Sequence, residues 1–126
     1  MALFDSDWML RWQQLVNADL ALKVIGKFFD AEICFQFGDR QYLVSVKSGS
    51  IENVYHKNTL GSIWDFALRA PLDAWGKFVE KTPPPMYHDI WAMAKLGVLR
   101  MEGDMKKVWQ HLRALTWMLD TMKMVG

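Results

Sequence analysis

Cysteine is nearly absent from this sequence, in which Cys34 stands alone among 126 residues. A single cysteine excludes an internal disulfide and is typical of proteins from a reducing compartment. Apolar runs of about 20 residues, the length that crosses a bilayer, are also missing. The N-terminus is acidic and has neither the basic region nor the small-residue cleavage site of a signal peptide. These absences predict a cytoplasmic protein.

An excess of charge of one sign is missing as well. The 15 Lys and Arg residues nearly balance the 14 Asp and Glu residues, so that the net charge is +1. The longest basic run is the pair Lys106 and Lys107. Because a protein that binds nucleic acid presents a basic patch or stripe to the phosphates, the sequence predicts no nucleic-acid partner.

Metal-binding and catalytic motifs are also missing from the sequence. No two of the three histidines have the spacing typical of metal ligands, and neither HExxH nor CxxC occurs. We therefore predict no metal and no cofactor. Tyr87, His88 and Asp65 are the candidate groups for acid–base chemistry, although they form no motif, and Arg69 is the expected partner of Asp65. Cys34 is expected to be a small buried apolar residue rather than a nucleophile.

Large apolar residues, in contrast, are abundant. The chain has seven Trp, seven Phe and nine Met residues within a hydrophobic fraction of 52%. A buried Trp needs a partner for its N–H, and Met is flexible and specifies a core poorly. Composition alone leaves two interpretations open, an aromatic-rich packed core and an adaptable apolar cavity.

The first part of the chain has helical periodicity. Apolar residues recur at helical spacing over residues 5–16, behind capping residues at Asp5 and Ser6. A shorter helix follows a second cap at Asp19 and ends at Gly26. Residues 1–27 are thus predicted to form two N-terminal helices.

The period of the apolar pattern then changes from helical to alternating. Four segments alternate and are predicted to be strands: residues 32–37, 42–46, 51–56 and 62–69. With tight turns at Gly38 and Gly49, they are expected to form an antiparallel meander with one dry face. In the fourth strand, Trp64, Phe66 and Leu68 are expected on that dry face.

Helices dominate the second half of the sequence. The predicted elements are two short helices, a fifth strand and a long C-terminal helix: residues 71–79, 86–96, 98–102 and 104–124. Asp104 is expected to cap the C-terminal helix. The clustering of strands and of helices predicts a single α+β domain over residues 1–126. In it, helices pack on one face of a five-stranded, mainly antiparallel sheet.

Trp117 falls on the polar face of the predicted C-terminal helix. A large aromatic residue at such a position indicates contact with another surface. That surface is either a second copy of the chain, in a homodimer, or a membrane that is touched transiently. The alternative is that Trp117 lies beneath a neighbouring loop.

Several features of residues 29–119 resemble the sterol carrier protein 2 family. They are a strand pair around Gly49, a strand with Asp65 in its middle, and a short helix that begins at Pro71. The most specific feature is a strand between Gly97 and the pair 103–104, Gly-Asp, which runs directly into the final helix. The N-terminal Trp-bearing helix and the run of three prolines are not part of the common pattern.

The resemblance implies an α+β fold with an apolar tunnel between a five-stranded sheet and the helices. Known members of the family bind sterols, fatty acids or fatty acyl-CoA, and need no metal. The predicted function is accordingly the binding and transfer of an apolar small molecule of one of these kinds. Two alternatives stay open: a small enzyme that acts on an apolar substrate in the same cavity, and a ligand-free module that dimerises through Trp117.

The predicted ligand site consists of large apolar residues on the inward stripes of different elements. Such residues are expected to converge between the sheet and the helices, where apolar walls suit a lipid. They are Trp64, Phe66, Trp75, Phe78, Tyr87, Trp91, Leu99, Met101, Trp109, Leu112, Leu115, Leu119 and Met122.

Overall fold

Aspartates begin both N-terminal helices in the computed structural model, which describes residues 2–56 and 63–125. Helix α1 (Ser6–Ala18) is capped by the Asp5 carboxylate, which accepts a hydrogen bond of 2.8 Å from the backbone N–H of Trp8. That bond holds the pKa of Asp5 below its usual value. Asp19 caps helix α2 (Leu20–Ile25) in the same way. A carboxylate at these positions satisfies backbone N–H groups that the helix itself leaves unpaired.

The described residues form a sheet of five strands in the order β3-β2-β1-β4-β5. The strands are β1 (Ala31–Phe37), β2 (Arg40–Lys47), β3 (Ser50–His56), β4 (Phe66–Ala70) and β5 (Arg100–Gly103). All neighbouring pairs are antiparallel except β1 and β4. The prediction of an α+β fold with a five-stranded, mainly antiparallel sheet is confirmed.

The predicted four-strand meander is wrong at its fourth member. Strand β4 lies parallel to β1, with Ile33 opposite Phe66 and Phe37 opposite Ala70. Alternation reveals which face of a strand is buried, but it carries no information about the strand's direction or neighbour. The first residue of the predicted fourth strand, Ser62, lies outside the described residues.

The remaining helices are α3 (Leu72–Phe78), α4 (Ile90–Leu96), α5 (Met105–Gln110) and α6 (Leu112–Asp120), and a 3₁₀ turn follows at Thr121–Met124. The C-terminal helical segment, predicted as one helix, is therefore divided at His111, whose φ of −118° is not helical. The imidazole of His111 stacks on Phe29, with ring centroids 5.1 Å apart. The apolar stripe of the sequence continues across this position, so periodicity does not reveal the division.

The helices cover one face of the sheet. Apolar side chains of the strands form the buried face: Ile33, Phe35, Phe37, Val44, Phe66 and Leu68. Most of the residues between them, among them Glu32, Gln36 and Arg69, are only half-buried on the opposite face, whereas Cys34 and Ala67 are buried. This difference between the two faces is the alternation seen in the sequence. Within the described segments, no helix is long and apolar enough to cross a membrane.

Helix α1 is tied to the edge strand β3 by side-chain amides. The amide of Asn17 accepts a 2.7 Å hydrogen bond from the N–H of Ile51 and donates a 2.9 Å bond to its carbonyl oxygen. Gln13 donates to the same carbonyl at 2.9 Å. The helix is thereby fixed along the sheet as well as packed on it.

Three strands meet at Asp65, just before β4. Its N–H donates to the carbonyl oxygen of Glu32 at 2.7 Å, and its carboxylate accepts from the N–H of Glu32, also at 2.7 Å. Its carbonyl oxygen accepts from the N–H of Asp104 at 2.7 Å. Gly103 allows this close approach: its φ is +98°, and a Cβ there would lie 2.5 Å from the Asp65 carbonyl oxygen.

We expect Gly103→Ala to destabilise the protein far more than Gly97→Ala. Both glycines have a positive φ, which costs a residue with a Cβ about 1 to 2 kcal/mol. At Gly97, among the described residues, nothing lies within 4 Å of the added Cβ. Overpacking against Asp65 should add about 1 to 3 kcal/mol at Gly103. Urea unfolding of both variants measures the difference, and equal losses of stability would contradict the close approach.

Candidate functional site

The predicted ligand residues fall into three groups by burial. The buried ones are Phe66, Trp75, Phe78, Leu99, Leu115, Leu119 and Met122. The half-buried ones are Trp64, Tyr87, Trp91, Met101 and Leu112. Trp109 is the exposed member, with 61% of its surface accessible. Most of the set therefore belongs to the apolar layer between the sheet and the helices, or lies against it.

Trp75 is the centre of the aromatic part of this layer. Its ring lies 5.0 Å from Phe37, 5.8 Å from Phe78 and 6.2 Å from Phe35, measured between centroids. These tilted and edge-on arrangements are the ones that aromatic rings prefer. The indole N–H donates to the carbonyl oxygen of Gln36 at 2.8 Å, which fixes the ring against β1. These rings interlock at the centre of the layer.

Trp64 does not join the layer, so its predicted orientation is wrong. Its ring lies 5.6 Å from the guanidinium carbon of Arg69. That guanidinium is on the outer face of the sheet, where it binds Glu102 at 2.9 Å and Gln36 at 2.6 Å. Strand β4 begins at Phe66, after Trp64, so the alternation of the strand does not extend to this residue.

The candidate acid–base residues have separate partners. The carboxylate of Asp65 binds the N–H of Glu32 and lies 3.4 Å from the amine of Lys107, so the predicted pair with Arg69 is wrong. His88 is exposed and lies 3.3 Å from the Asp89 carboxylate, which caps α4.

Tyr87 and Cys34 also have neighbours that differ from those of the other candidate residues. Tyr87 lies beneath the amine of Lys77, at 4.9 Å. Cys34 is buried on the sheet face opposite Ile33, and burial raises the pKa of its thiol. A raised pKa lowers the thiolate fraction, which is the reactive form. In the described part of the chain, no group of three or more His, Cys, Asp or Glu side chains could hold a metal ion.

Trp91 and Trp109 form a stacked pair where α4 meets α5. Their ring centroids are 4.7 Å apart and their planes differ by 19°. The indole nitrogen of Trp91 is buried, and among residues 2–56 and 63–125 it has no hydrogen-bond partner. By comparison, Trp12 donates to Thr121 at 2.8 Å. A buried donor without an acceptor costs about 1 to 3 kcal/mol, so this N–H is an exception within a well-paired interior.

The described part of the chain has four clefts whose linings contain none of the predicted ligand residues. The largest, about 530 Å³, is at the end of the sheet beside Phe37, His56 and Leu72. Another, of about 370 Å³, is lined by Asp19, Trp117, Asp120, Thr121 and Met124. We call the latter the Trp117 cleft.

The Trp117 cleft lies between the start of α2 and the end of α6. The indole N–H of Trp117 donates to the Asp19 carboxylate at 2.9 Å, which links two residues of the cleft lining. Thr121, in contrast, is buried, and its hydroxyl binds the carbonyl oxygen of Met118 at 2.6 Å. The lining of the cleft therefore combines exposed side chains with one buried residue, Thr121, which precedes the buried Met122.

Exposed apolar side chains follow the cleft residue Asp19 in the sequence, on α2 and just beyond its end. Leu20, Val24 and Phe28 are 76%, 75% and 79% exposed. Lys23 and Lys27 lie between them in the sequence, and the amine of Lys27 is 5.5 Å from the ring of Phe28. We call these five residues the α2 patch. Apolar side chains with interspersed lysines are typical of helices that lie on a membrane surface.

Comparison with solved structures shows strong similarity of fold at low sequence identity. The crystal structure of sterol carrier protein 2 superposes with a TM-score of 0.80 at 14% identity, covering 99% of this chain and 100% of the other. A conserved hypothetical protein of Thermus thermophilus, considered a candidate sterol carrier protein, gives 0.76 at 14% identity, covering 100% of this chain and 91% of the other.

A third structure, the SCP2 protein UbiJ of ubiquinone synthesis, gives a TM-score of 0.62 at 12% identity, covering 98% of this chain and 97% of the other. Neither a protein-family model nor a curated protein sequence matches the chain. The resemblance seen in the sequence is thus confirmed at the level of structure, and the chain has the fold of sterol carrier protein 2.

Proposed function

We propose that this protein is a cytoplasmic carrier that binds an apolar small molecule between its sheet and its helices. The observation that carries the proposal is the fold, which the whole chain shares with a protein named for carrying sterols. A fold by itself does not determine a function. The proposal therefore also depends on whether the apolar layer can admit a ligand.

Methionines give the layer the capacity to rearrange. Met93, Met118 and Met122 are fully buried within it, and Met101 and Met105 pack against it. Unbranched thioether side chains change rotamer at little cost and fill irregular spaces. In this proposal the rings around Trp75 stay fixed, and methionine side chains move aside for the ligand.

The C-terminal segment is divided into pieces that can shift separately. Helix α5, helix α6 and the 3₁₀ turn meet at His111 and Thr121. The Trp117 cleft ends at Thr121, so it is the proposed entrance for the ligand. A ligand that enters there reaches Leu119 and Met122 of the predicted site first.

Burial of alkyl surface would supply the driving force. Each methylene removed from water contributes about 0.8 kcal/mol, so about ten methylenes contribute roughly 8 kcal/mol. That gross value corresponds to a dissociation constant of about 1 μM before the cost of opening the layer is subtracted. A long-chain or ring-shaped lipid is therefore the smallest kind of ligand that fits the proposal.

Solvent extracts of the purified protein are expected to contain an apolar molecule, detectable by mass spectrometry. We further expect Leu112→Glu to lose it, because a bound alkyl chain would cover this position and remove the carboxylate from water, which is strongly unfavourable. Leu112 is half-buried, so this change should leave the fold intact, as circular dichroism would show.

Two controls accompany this experiment. Leu112→Met keeps the site apolar and should retain the ligand, and Arg113→Glu places the same charge at the exposed neighbouring position. A wild-type protein that yields no apolar molecule, and that binds no added long-chain probe after delipidation, would refute the carrier function. The ligand-free interaction module would then be the better description.

The enzyme alternative receives no support from the candidate acid–base residues. Asp65, His88 and Tyr87 each contact a different neighbour, and Asp65 has a structural role at the strand junction. General acid–base catalysis requires such groups within hydrogen-bond reach of one reacting atom. The carrier is therefore the preferred function.

Transfer of a lipid requires contact with a membrane, and we assign this contact to the α2 patch. Apolar side chains of the patch would enter the interface, while Lys23 and Lys27 would attract anionic headgroups. The patch borders the Trp117 cleft, so a docked protein would have its proposed entrance near the membrane surface. A homodimer through Trp117 is the competing use of this surface.

We expect the protein to bind vesicles of phosphatidylglycerol more tightly than vesicles of phosphatidylcholine, with binding that weakens as salt is added. The double variant Leu20→Glu/Val24→Glu should reduce binding more than tenfold in a vesicle sedimentation assay, because it removes apolar contact and adds repulsion. Leu72→Glu, which changes an exposed leucine elsewhere, is the matched control. If the double variant bound vesicles normally but altered the oligomeric state, the patch would be a dimer interface instead.

A further inference from the structure

The unpaired indole N–H of Trp91 bears on the chemistry of the ligand. Trp91 packs against the apolar core, and its nitrogen has no accessible surface even though part of the residue is exposed. The donor is therefore shielded from bulk water by the surrounding side chains. Within the described residues, Trp12, Trp75 and Trp117 all donate to oxygen acceptors of the protein.

Trp109 contacts one face of the Trp91 indole. Its exposed ring stacks on Trp91 at a centroid distance of 4.7 Å, with the two planes 19° apart. Stacked aromatic rings hold each other by face contact alone and leave the ring nitrogen free to donate. The pair therefore presents one hydrogen-bond donor to an otherwise apolar environment.

We infer that Trp91 is a specificity-determining residue, whose N–H binds a neutral oxygen atom on the apolar ligand. The inference rests on the proposed carrier function and narrows it. An apolar pocket with a few placed polar groups selects ligands by the groups that those donors can pair with. A hydroxyl, ketone, quinone or ester oxygen would complete the pairing of Trp91.

An ionised head group fits this position less well. A buried carboxylate needs a cation or several donors, whereas Trp91 offers one N–H. The amines and guanidinium that contact aromatic rings in the described part of the chain lie at Phe28, Trp64, Phe78 and Tyr87. None of these contacts is at Trp91 or Trp109. The inferred class is therefore a neutral lipid with an oxygen acceptor, in preference to an ionised fatty acid.

Trp91→Phe tests this inference because it keeps a ring against Trp109 and removes the N–H. Delipidated wild-type protein would be titrated with tetradecan-2-one, tetradecane and tetradecanoate, which have chains of equal length. The wild type should bind the ketone most tightly. In Trp91→Phe we expect ketone binding to weaken about three- to tenfold, the range for one neutral hydrogen bond, and alkane binding to stay unchanged.

The indole proton signals provide a second readout. The signal that Trp91→Phe removes identifies Trp91 in the wild-type spectrum. That signal should move downfield when the ketone binds and stay in place with the alkane. Trp8→Phe, which removes an indole from α1, is the control and should preserve the preference for the ketone.

The outcomes separate the two proposals. If none of the three probes binds the wild type, the carrier function itself fails. In a second outcome all three probes bind, but the ketone binds no more tightly than the alkane, or Trp91→Phe still binds the ketone most tightly. The carrier function then stands and the role of Trp91 is refuted. A buried water as the sole partner of the N–H would produce this second result.

Discussion

The fold depends on the hydrogen bonds of one residue, Asp65. Its main chain and carboxylate together bind both polar groups of Glu32, as a neighbouring strand residue would, and its carbonyl oxygen binds the N–H of Asp104. The bonds to Glu32 set β4 parallel to β1, and the bond to Asp104 places β5 and the start of α5 beside β4. Because Gly103 has no Cβ, the two segments can approach this closely. The start of α5 takes its position from this junction.

Much of the local structure could be predicted from the sequence because it depends on neighbouring residues. Capping aspartates begin α1, α2 and α5 where the sequence predicts them, and glycine in a left-handed conformation ends α4. The start of α4 was predicted too early, because the helix begins at Ile90, behind a cap at Asp89, and not at residue 86. Strand direction and helix interruption were not predictable in this way. The parallel pairing of β1 with β4 joins residues about thirty positions apart, and the turn at His111 reflects its contact with Phe29. Such contacts leave no trace in periodicity.

The candidate site was predictable in its composition and less so in its geometry. Helical stripes placed Leu115, Leu119 and Met122 in the apolar layer, where the structure buries them. Trp64 was misplaced because it precedes its strand, where alternation no longer applies. The α2 patch and the unpaired N–H of Trp91 depend on which faces neighbouring elements cover, and this is a property of tertiary packing. A sequence signal for the patch did exist, since Leu20 and Val24 are four residues apart on a six-residue helix.

The amide of Asn17 has a consequence for how copies of this protein meet one another. Strand β3 forms one border of the sheet, and unpaired main-chain groups at such a border readily recruit a strand from another molecule. Asn17 occupies both main-chain groups of Ile51, so a foreign strand finds no continuous row of partners there. At the opposite border, β5 has four residues, among them the charged Arg100 and Glu102. Both borders of the sheet are thus protected against strand pairing between copies, even though the α2 patch exposes apolar side chains.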